Sequence, residues 1–93
     1  MIKNFKCVET EKIFNREYSR KLPFAIQNVA FRKLRMINQS YIIDDLKIPP
    51  ANRLEKLSGK RNGQWSIRIN TQWRICFNWH DNNAENVEIV DYH

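Results

Sequence analysis

The stretch QWSIRIN at positions 64–70 is followed by TQ at 71–72 and by WRICFNWH at 73–80. In both longer segments apolar side chains alternate with polar ones, which is the period of a β-strand with one covered face. The two residues between them are enough for a tight turn. A second turn signal at 81–83 precedes VEIVDY at 87–92, where the alternation continues. This half of the chain therefore predicts a small antiparallel sheet.

The residues before Pro49-Pro50 have a helical period instead. Thr10 is placed to cap a helix from Glu11 to about Tyr18, and Pro23 suits the first turn of a second helix. The second helix carries an apolar stripe at helical spacing, made of Ile26, Val29, Ala30, Leu34 and Ile37. This stripe predicts a helix that covers one face of the sheet.

Segregated helices and strands predict an α+β fold rather than a parallel α/β one, in one domain spanning residues 1–93. Two N-terminal helices would pack on one face of the sheet, and short strands are also expected at 1–7 and 53–57. The apolar set of both central strands would face the helices. The opposite face would carry Arg68 and Arg74 on adjacent strands, where they could bind phosphate.

Charge indicates the kind of partner. The chain has 16 Lys and Arg against 10 Asp and Glu, a formal charge of +6, which predicts a polyanionic or acidic partner. A membrane surface is the weakest candidate, because we find no long basic amphipathic helix. The opening residues 1–5 lack the apolar core of a signal peptide, and no run approaches the roughly 20 apolar residues of a span. We therefore expect a cytoplasmic protein.

The two cysteines, Cys7 and Cys76, are far apart and form no paired motif. We expect reduced thiols in a cytoplasmic chain. Together with His80 and His93 they could in principle ligate a metal, but no pair has the spacing of a zinc site. Ordinary packed or surface roles are favoured for all four.

Four segments carry a resemblance to a known family: LEKLSG at 54–59, QWSIRIN at 64–70, QWRICF at 72–77 and VEIVDYH at 87–93. Together they resemble the HigB branch of the RelE-type toxins. One position departs, since some members have Lys where this chain has Ser58.

The resemblance implies a RelE-like, microbial-RNase-like fold and a ribosome-dependent mRNA endonuclease that uses no metal or other cofactor. It also implies a toxin of a type II toxin–antitoxin pair. Its partners would be mRNA on the ribosome, 16S rRNA and a HigA-like antitoxin with a helix-turn-helix domain, which alone would contact operator DNA. Matched to the family's pattern, the catalytic positions are Arg74, Asp91, Tyr92 and His93. Arg68 occupies a neighbouring basic position.

Metal-free RNA cleavage through the ribose 2′-hydroxyl needs a base, an acid and a cation for the phosphorane charge. We expect His93 to transfer a proton, with Asp91 as its partner on the same strand face. Arg74 would stabilise the phosphorane. Tyr92 would point the other way and could stack on a base. Lys56, Lys60 and Arg61 would hold the backbone of mRNA or ribosomal RNA.

Two other functions fit the same sequence. One is a non-catalytic RNA- or ribosome-binding module, and the other is an interaction protein for an acidic partner. Arg74 could then simply pair with Glu85 or Glu88, and Asp91 and His93 would be ordinary surface residues. Loss of His93 would leave RNA affinity intact in the binding module.

Overall fold

The structure, a computed structural model, describes residues 1–92. Its helices are α1 (Val8–Phe14) and α2 (Phe24–Gln39), and its strands are β1 (Glu55–Lys56), β2 (Gln64–Arg68), β3 (Trp73–His80) and β4 (Asn83–Asp91). The strands form one antiparallel sheet in the order β1-β2-β3-β4. The predicted α+β fold is confirmed. None of the helices in this described part has the length and apolar character that crossing a bilayer requires.

Helix α1 begins earlier than predicted, and Thr10 is not its cap. Cys7 is the N-cap residue, and its Sγ accepts a hydrogen bond from the backbone N–H of Thr10 at 3.4 Å. Thr10 lies inside the helix and is fully buried. Its Oγ1 accepts the backbone N–H of Ile89 in β4 at 2.9 Å. The hydroxyl therefore joins the helix to the sheet, and it also lies 2.9 Å from Sγ of the N-cap residue Cys7. The helix ends at Phe14, before Tyr18.

Helix α2 begins at Phe24, and Pro23 is its N-cap residue rather than a member of its first turn as predicted. Four members of its stripe are buried, and Val29 is half-buried at the margin. The stripe packs against the apolar face of the sheet, where Ile67, Ile75 and Phe77 are completely covered. The predicted assignment of faces is confirmed for these strands.

The opposite sheet face is less open than predicted. Ser66 and Cys76 are fully covered there, and Arg74 is only 9% exposed. Arg61 reaches across to Glu88 at 2.9 Å, and Arg74 lies along Ser66. Polar side chains thus cover part of a face that the sequence pattern alone predicts to be solvated.

The edges of the sheet also differ from the prediction. Residues 1–7 form no regular strand, only isolated parallel bridges from Ile2 to Ala84 and from Phe5 to Val87. The irregularity of β4 explains this, because Asn86 between the two bridges has a left-handed φ of 53° and interrupts the ladder. At the other edge, β1 has two residues where 53–57 was predicted.

Candidate active site on the polar sheet face

Arg74 is held in place by hydrogen bonds from two nitrogens of its guanidinium. Its Nε donates to Oγ of Ser66 at 2.8 Å, and its Nη2 donates to the carbonyl oxygen of Arg53 at 2.7 Å. Glu88, one of the acids considered as its partner, instead pairs with Arg61. Arg74 therefore presents a fixed positive fork at the sheet surface, the geometry that phosphate binding favours.

The carbonyl of Arg53 reaches Arg74 because the chain turns sharply there. A short 3-10 turn, Pro50–Asn52, ends at Arg53, whose φ of 46° is left-handed. The turn is anchored by Asn52, which is fully buried and donates to the carbonyl of Leu46 at 3.2 Å. Sequence analysis missed Arg53. The prolines indicate an irregular segment, but they do not indicate which carbonyl it directs into the site.

An open cleft of about 420 Å³ surrounds the exposed edge of Arg74. Arg68 is the Cα partner of Arg74 on β2, so both side chains project from the same face. The lining comprises Arg53, Leu54, Glu55, Arg68, Asn70, Thr71, Arg74 and Tyr92. We call this the Arg74 cleft. Two guanidinium groups on adjacent strands make it suited to an anion.

Tyr92 belongs to this cleft. Its ring centroid lies 5.7 Å from Cζ of Arg74, and its backbone N–H donates to the carbonyl of Gln72 at 2.6 Å. The ring of Tyr92 can contribute a stacking surface beside the arginine. Tyr92 thus points to the face opposite Asp91, as predicted, but this is the face that carries Arg74.

Asp91 lies on the other face. It is the Cα partner of Trp73, so its side chain starts on the helix-covered side of the sheet. Its Oδ2 accepts a hydrogen bond from Nε2 of Gln72 at 3.1 Å. The expectation that Asp91 and Arg74 face one substrate is therefore wrong, although a catalytic role for Asp91 stays a prediction. His93 lies outside the described residues.

The carboxylate in the Arg74 cleft is that of Glu55, which sequence analysis missed. Glu55 is the Cα partner of Ser66, which places its side chain on the face of Arg74. Alternation along LEKL separates Glu55 from Lys56, but it does not reveal which of them shares a face with Arg74. Only the register with β2 decides that.

Lys56 takes the opposite side. It is the Cα partner of Trp65, and its Nζ lies 5.7 Å from the centre of that ring. The structure therefore does not bring Lys56 together with Arg74.

Lys60 and Arg61 lie at a different part of the surface, in a cleft of about 400 Å³ that also includes Lys6 and Gln64. Lys60 is exposed. Arg61 donates to Glu88 at 2.9 Å and to Gln64 at 3.0 Å. The hydrogen bond to Glu88 raises the pKa of Arg61 above its ordinary value. Lys60 is therefore the better placed of the two to contact a polyanion, since much of the charge of Arg61 is matched within the fold.

Comparison with known proteins places this chain in a family. Residues 3–93 match the family model described as RelE-like toxin of type II toxin-antitoxin system HigB. Toxin HigB-1 of Vibrio cholerae is 45% identical over 67 residues, which are 72% of this chain and 70% of the relative. Endoribonuclease HigB of Proteus vulgaris is 29% identical over 93 residues, the full length of both.

A solved structure shares the fold. The YoeB-YefM complex from Staphylococcus aureus has a chain that superposes with a TM-score of 0.61 at 20% identity, covering 100% of this chain and 98% of that one. At this identity the likeness concerns the fold alone. The match over 3–93 and the identity to Toxin HigB-1 establish the family: this chain belongs to the HigB branch of the RelE-like toxins of type II toxin–antitoxin systems.

Proposed function

We propose that this chain is an endoribonuclease toxin that cleaves mRNA on the ribosome. Membership of the HigB-like toxins supports the toxin role, and the similarity to a protein named Endoribonuclease HigB supports RNA cleavage. The observation that carries the proposal is the fixed guanidinium of Arg74, paired across the strands with Arg68 in an open cleft.

The arginines suit the charge that develops during the reaction. The 2′-oxygen attacks the neighbouring phosphorus, a P–O2′ bond forms, and the P–O5′ bond breaks. Negative charge accumulates on the non-bridging oxygens in between. Arg74 would donate to those oxygens, and Arg68 would bind the phosphate. Because the hydrogen bonds to Ser66 and Arg53 already fix the fork, little reorganisation is needed as the charge develops.

The two proton transfers need groups at the same cleft. We assign the base to Glu55, which would take the 2′-hydroxyl proton, because its side chain lines the cleft beside both arginines. His93 would donate a proton to the leaving 5′-oxygen, as the family resemblance implies. The products are a 2′,3′-cyclic phosphate and a 5′-hydroxyl. Tyr92 would stack on a base next to the cut bond.

Asp91 has a supporting role in this scheme. Through its bond to Gln72 it ties the end of β4 to the turn before β3, and Tyr92 follows directly on that strand end. Asp91 would thereby position Tyr92 and His93 rather than touch the RNA.

The ribosome would supply the in-line geometry that an open cleft cannot impose by itself. Lys60, with Lys56 and Arg61, would contact the 16S rRNA backbone outside the Arg74 cleft, consistent with the formal charge of +6. An antitoxin of the HigA kind, with a helix-turn-helix domain, would neutralise the toxin. Operator DNA would be contacted through that antitoxin. The reaction would take place in the cytoplasm.

Induction in growing bacteria tests the proposal. Wild-type protein should arrest growth and produce new mRNA 5′ ends within translated codons, and blocking translation initiation should suppress those ends. Arg74→Ala should abolish both effects, whereas Arg20→Ala, which removes an exposed arginine outside the Arg74 cleft, should abolish neither. Growth arrest without new ends would instead identify a non-catalytic ribosome-binding module. Full toxicity of Arg74→Ala would contradict the assigned site.

A further inference from the structure

A second cleft, of about 450 Å³, adjoins the Arg74 cleft and extends from it to helix α2. The two clefts share Arg53, Arg68 and Asn70, so they form one continuous depression. The second cleft, called the α2 cleft here, has a basic rim, an apolar part and the polar side chain of Asn70. The rim consists of Arg32, Lys33, Arg53 and Arg68, and the apolar part consists of Val29, Met36, Ala51 and Ile69.

The rim is a local concentration of positive charge on a protein whose formal charge is already +6. Four of its side chains are cationic, and within residues 1–92 no carboxylate lines this cleft. Burial and the neighbouring charge of Arg32 both lower the pKa of Lys33. Crowded like charges repel one another, and an anion bound between them would relieve that repulsion.

One of these cations is held in place by the core. Lys33 donates from its Nζ to the side-chain oxygen of Asn52. Asn52 is fully buried and also supports the turn that brings Arg53 to Arg74. The same buried amide thus anchors the α2 cleft and the Arg74 cleft. A ligand spanning both would meet a surface that is already ordered.

We propose that the α2 cleft binds the RNA strand on one flank of the bond that is cut in the Arg74 cleft. This inference rests on the proposed function and extends it. Arg32 and Lys33 would bind a flanking phosphate, and a base or ribose would rest on the apolar part beside Met36. Cations that follow the backbone, together with apolar surface for the bases, are what single-stranded nucleic acid requires. An acidic protein segment would use the charges but would not require the continuity with Arg74.

Binding of uncleavable RNA tests the inference. The probes are a 2′-O-methyl trinucleotide and the same trinucleotide extended by several nucleotides at its 5′ or its 3′ end. The variant is Arg32→Gln with Lys33→Gln, and Arg32→Gln alone serves if the double variant does not fold. The matched control is Arg20→Gln with Arg35→Gln, which removes two exposed arginines that line neither cleft.

Extension at one end should tighten binding to the wild-type protein and to the control. The variant should lose this gain, about tenfold for each charge removed, and should bind the trinucleotide as the wild type does. The dependence of log affinity on log salt should become shallower by about 0.7 for each phosphate that the variant leaves without a cation.

Three results would overturn the inference: no gain on extension, a gain that the variant retains, or equal weakening with both probes. A poly-glutamate peptide whose binding depends on Arg32 and Lys33, without an extension gain for RNA, would assign the cleft to an acidic protein. These outcomes are independent of the mRNA-cleavage experiment. A protein that cuts mRNA but shows no extension gain loses only this inference. One that shows the gain without cutting keeps an RNA-binding α2 cleft but loses the proposed function and the cut bond that this cleft would flank.

Discussion

Nε of Arg74 donates a hydrogen bond of 2.8 Å to Oγ of Ser66, its neighbour across β2 and β3, and both residues are buried. Ser66 therefore orients the guanidinium through Nε, and the carbonyl of Arg53 holds it through Nη2. Within residues 1–92, the partners that fix Arg74 are a hydroxyl and a carbonyl oxygen, so they leave its positive charge unneutralised.

In the proposed mechanism Ser66 positions Arg74, so Ser66→Ala should lower the rate of RNA cleavage more than it lowers RNA affinity. Leaving Nε of Arg74 without its hydroxyl partner costs about 1–3 kcal/mol, which corresponds to about a tenfold loss of rate for each 1.4 kcal/mol. Single-turnover cleavage and binding of 2′-O-methyl RNA measure the two effects. The exposed Ser58→Ala is the control. A parallel fall in rate and affinity would contradict the positioning role.

Replacing the guanidinium of Arg74 should lower the cleavage rate more than Ser66→Ala does. Arg74→Lys keeps the charge but cannot reproduce both the Nε and the Nη2 hydrogen bonds. We expect cleavage to fall by about 100- to 1000-fold, the usual cost of losing a donor to a developing oxyanion. Chemical denaturation should show that the variant remains folded. If Arg74→Lys retains wild-type activity, the guanidinium held by Ser66 and Arg53 is not required for cleavage.

Replacing Glu55 and replacing Asp91 should lower the cleavage rate to different extents. Glu55→Gln removes the proposed base and should lower the single-turnover rate by about 100-fold or more. Asp91→Asn keeps an oxygen that can accept from Gln72, so it should lower the rate less than Glu55→Gln does. The pair is compared on the same RNA under ribosome-bound conditions. A larger loss for Asp91→Asn than for Glu55→Gln would reverse this assignment.

Acid stability should depend on Glu9. The hydroxyl of Ser19 donates to Oε1 of Glu9 at 2.6 Å, and this bond, reinforced by Lys12, holds the pKa of Glu9 below its ordinary value of 4.5. A lowered folded pKa stabilises the protein at pH above the ordinary value, and this contribution disappears as the pH falls through the folded value.

Glu9→Gln should therefore destabilise the protein at neutral pH and lose part of the acid dependence of unfolding. Urea titrations at neutral and acidic pH measure both effects, with the exposed Glu11→Gln as control. Identical pH profiles for wild type and Glu9→Gln would rule out this contribution.

Cys76 should be chemically inert in the folded protein. Burial raises the pKa of its thiol, and the thiolate is the reactive form. In a Cys7→Ser background, where serine can still cap α1, iodoacetamide should modify native Cys76 far more slowly than urea-unfolded Cys76. Equal rates in the two states would show that the thiol is accessible.

Much of this fold follows from local pattern. Alternation over 64–70 and 73–80 places Arg68 and Arg74 on one face, because both strands have one apolar side that must be buried against a helix. The apolar stripe of α2 likewise predicts that this helix covers the apolar face of the sheet. These features depend on neighbouring positions in the sequence, so the sequence itself determined them.

The composition of the site was decided by the tertiary structure. Alternation separates Glu55 from Lys56 and Asp91 from Tyr92, but only hydrogen-bonded register with β2 and β3 selects which of each pair meets Arg74. The carbonyl of Arg53 reaches the site through a left-handed turn anchored by a buried amide. Such contacts join residues far apart in sequence, and no local period encodes them. The sequence determined that two arginines share a sheet face, and the packing determined which carboxylate and which aromatic ring stand beside them.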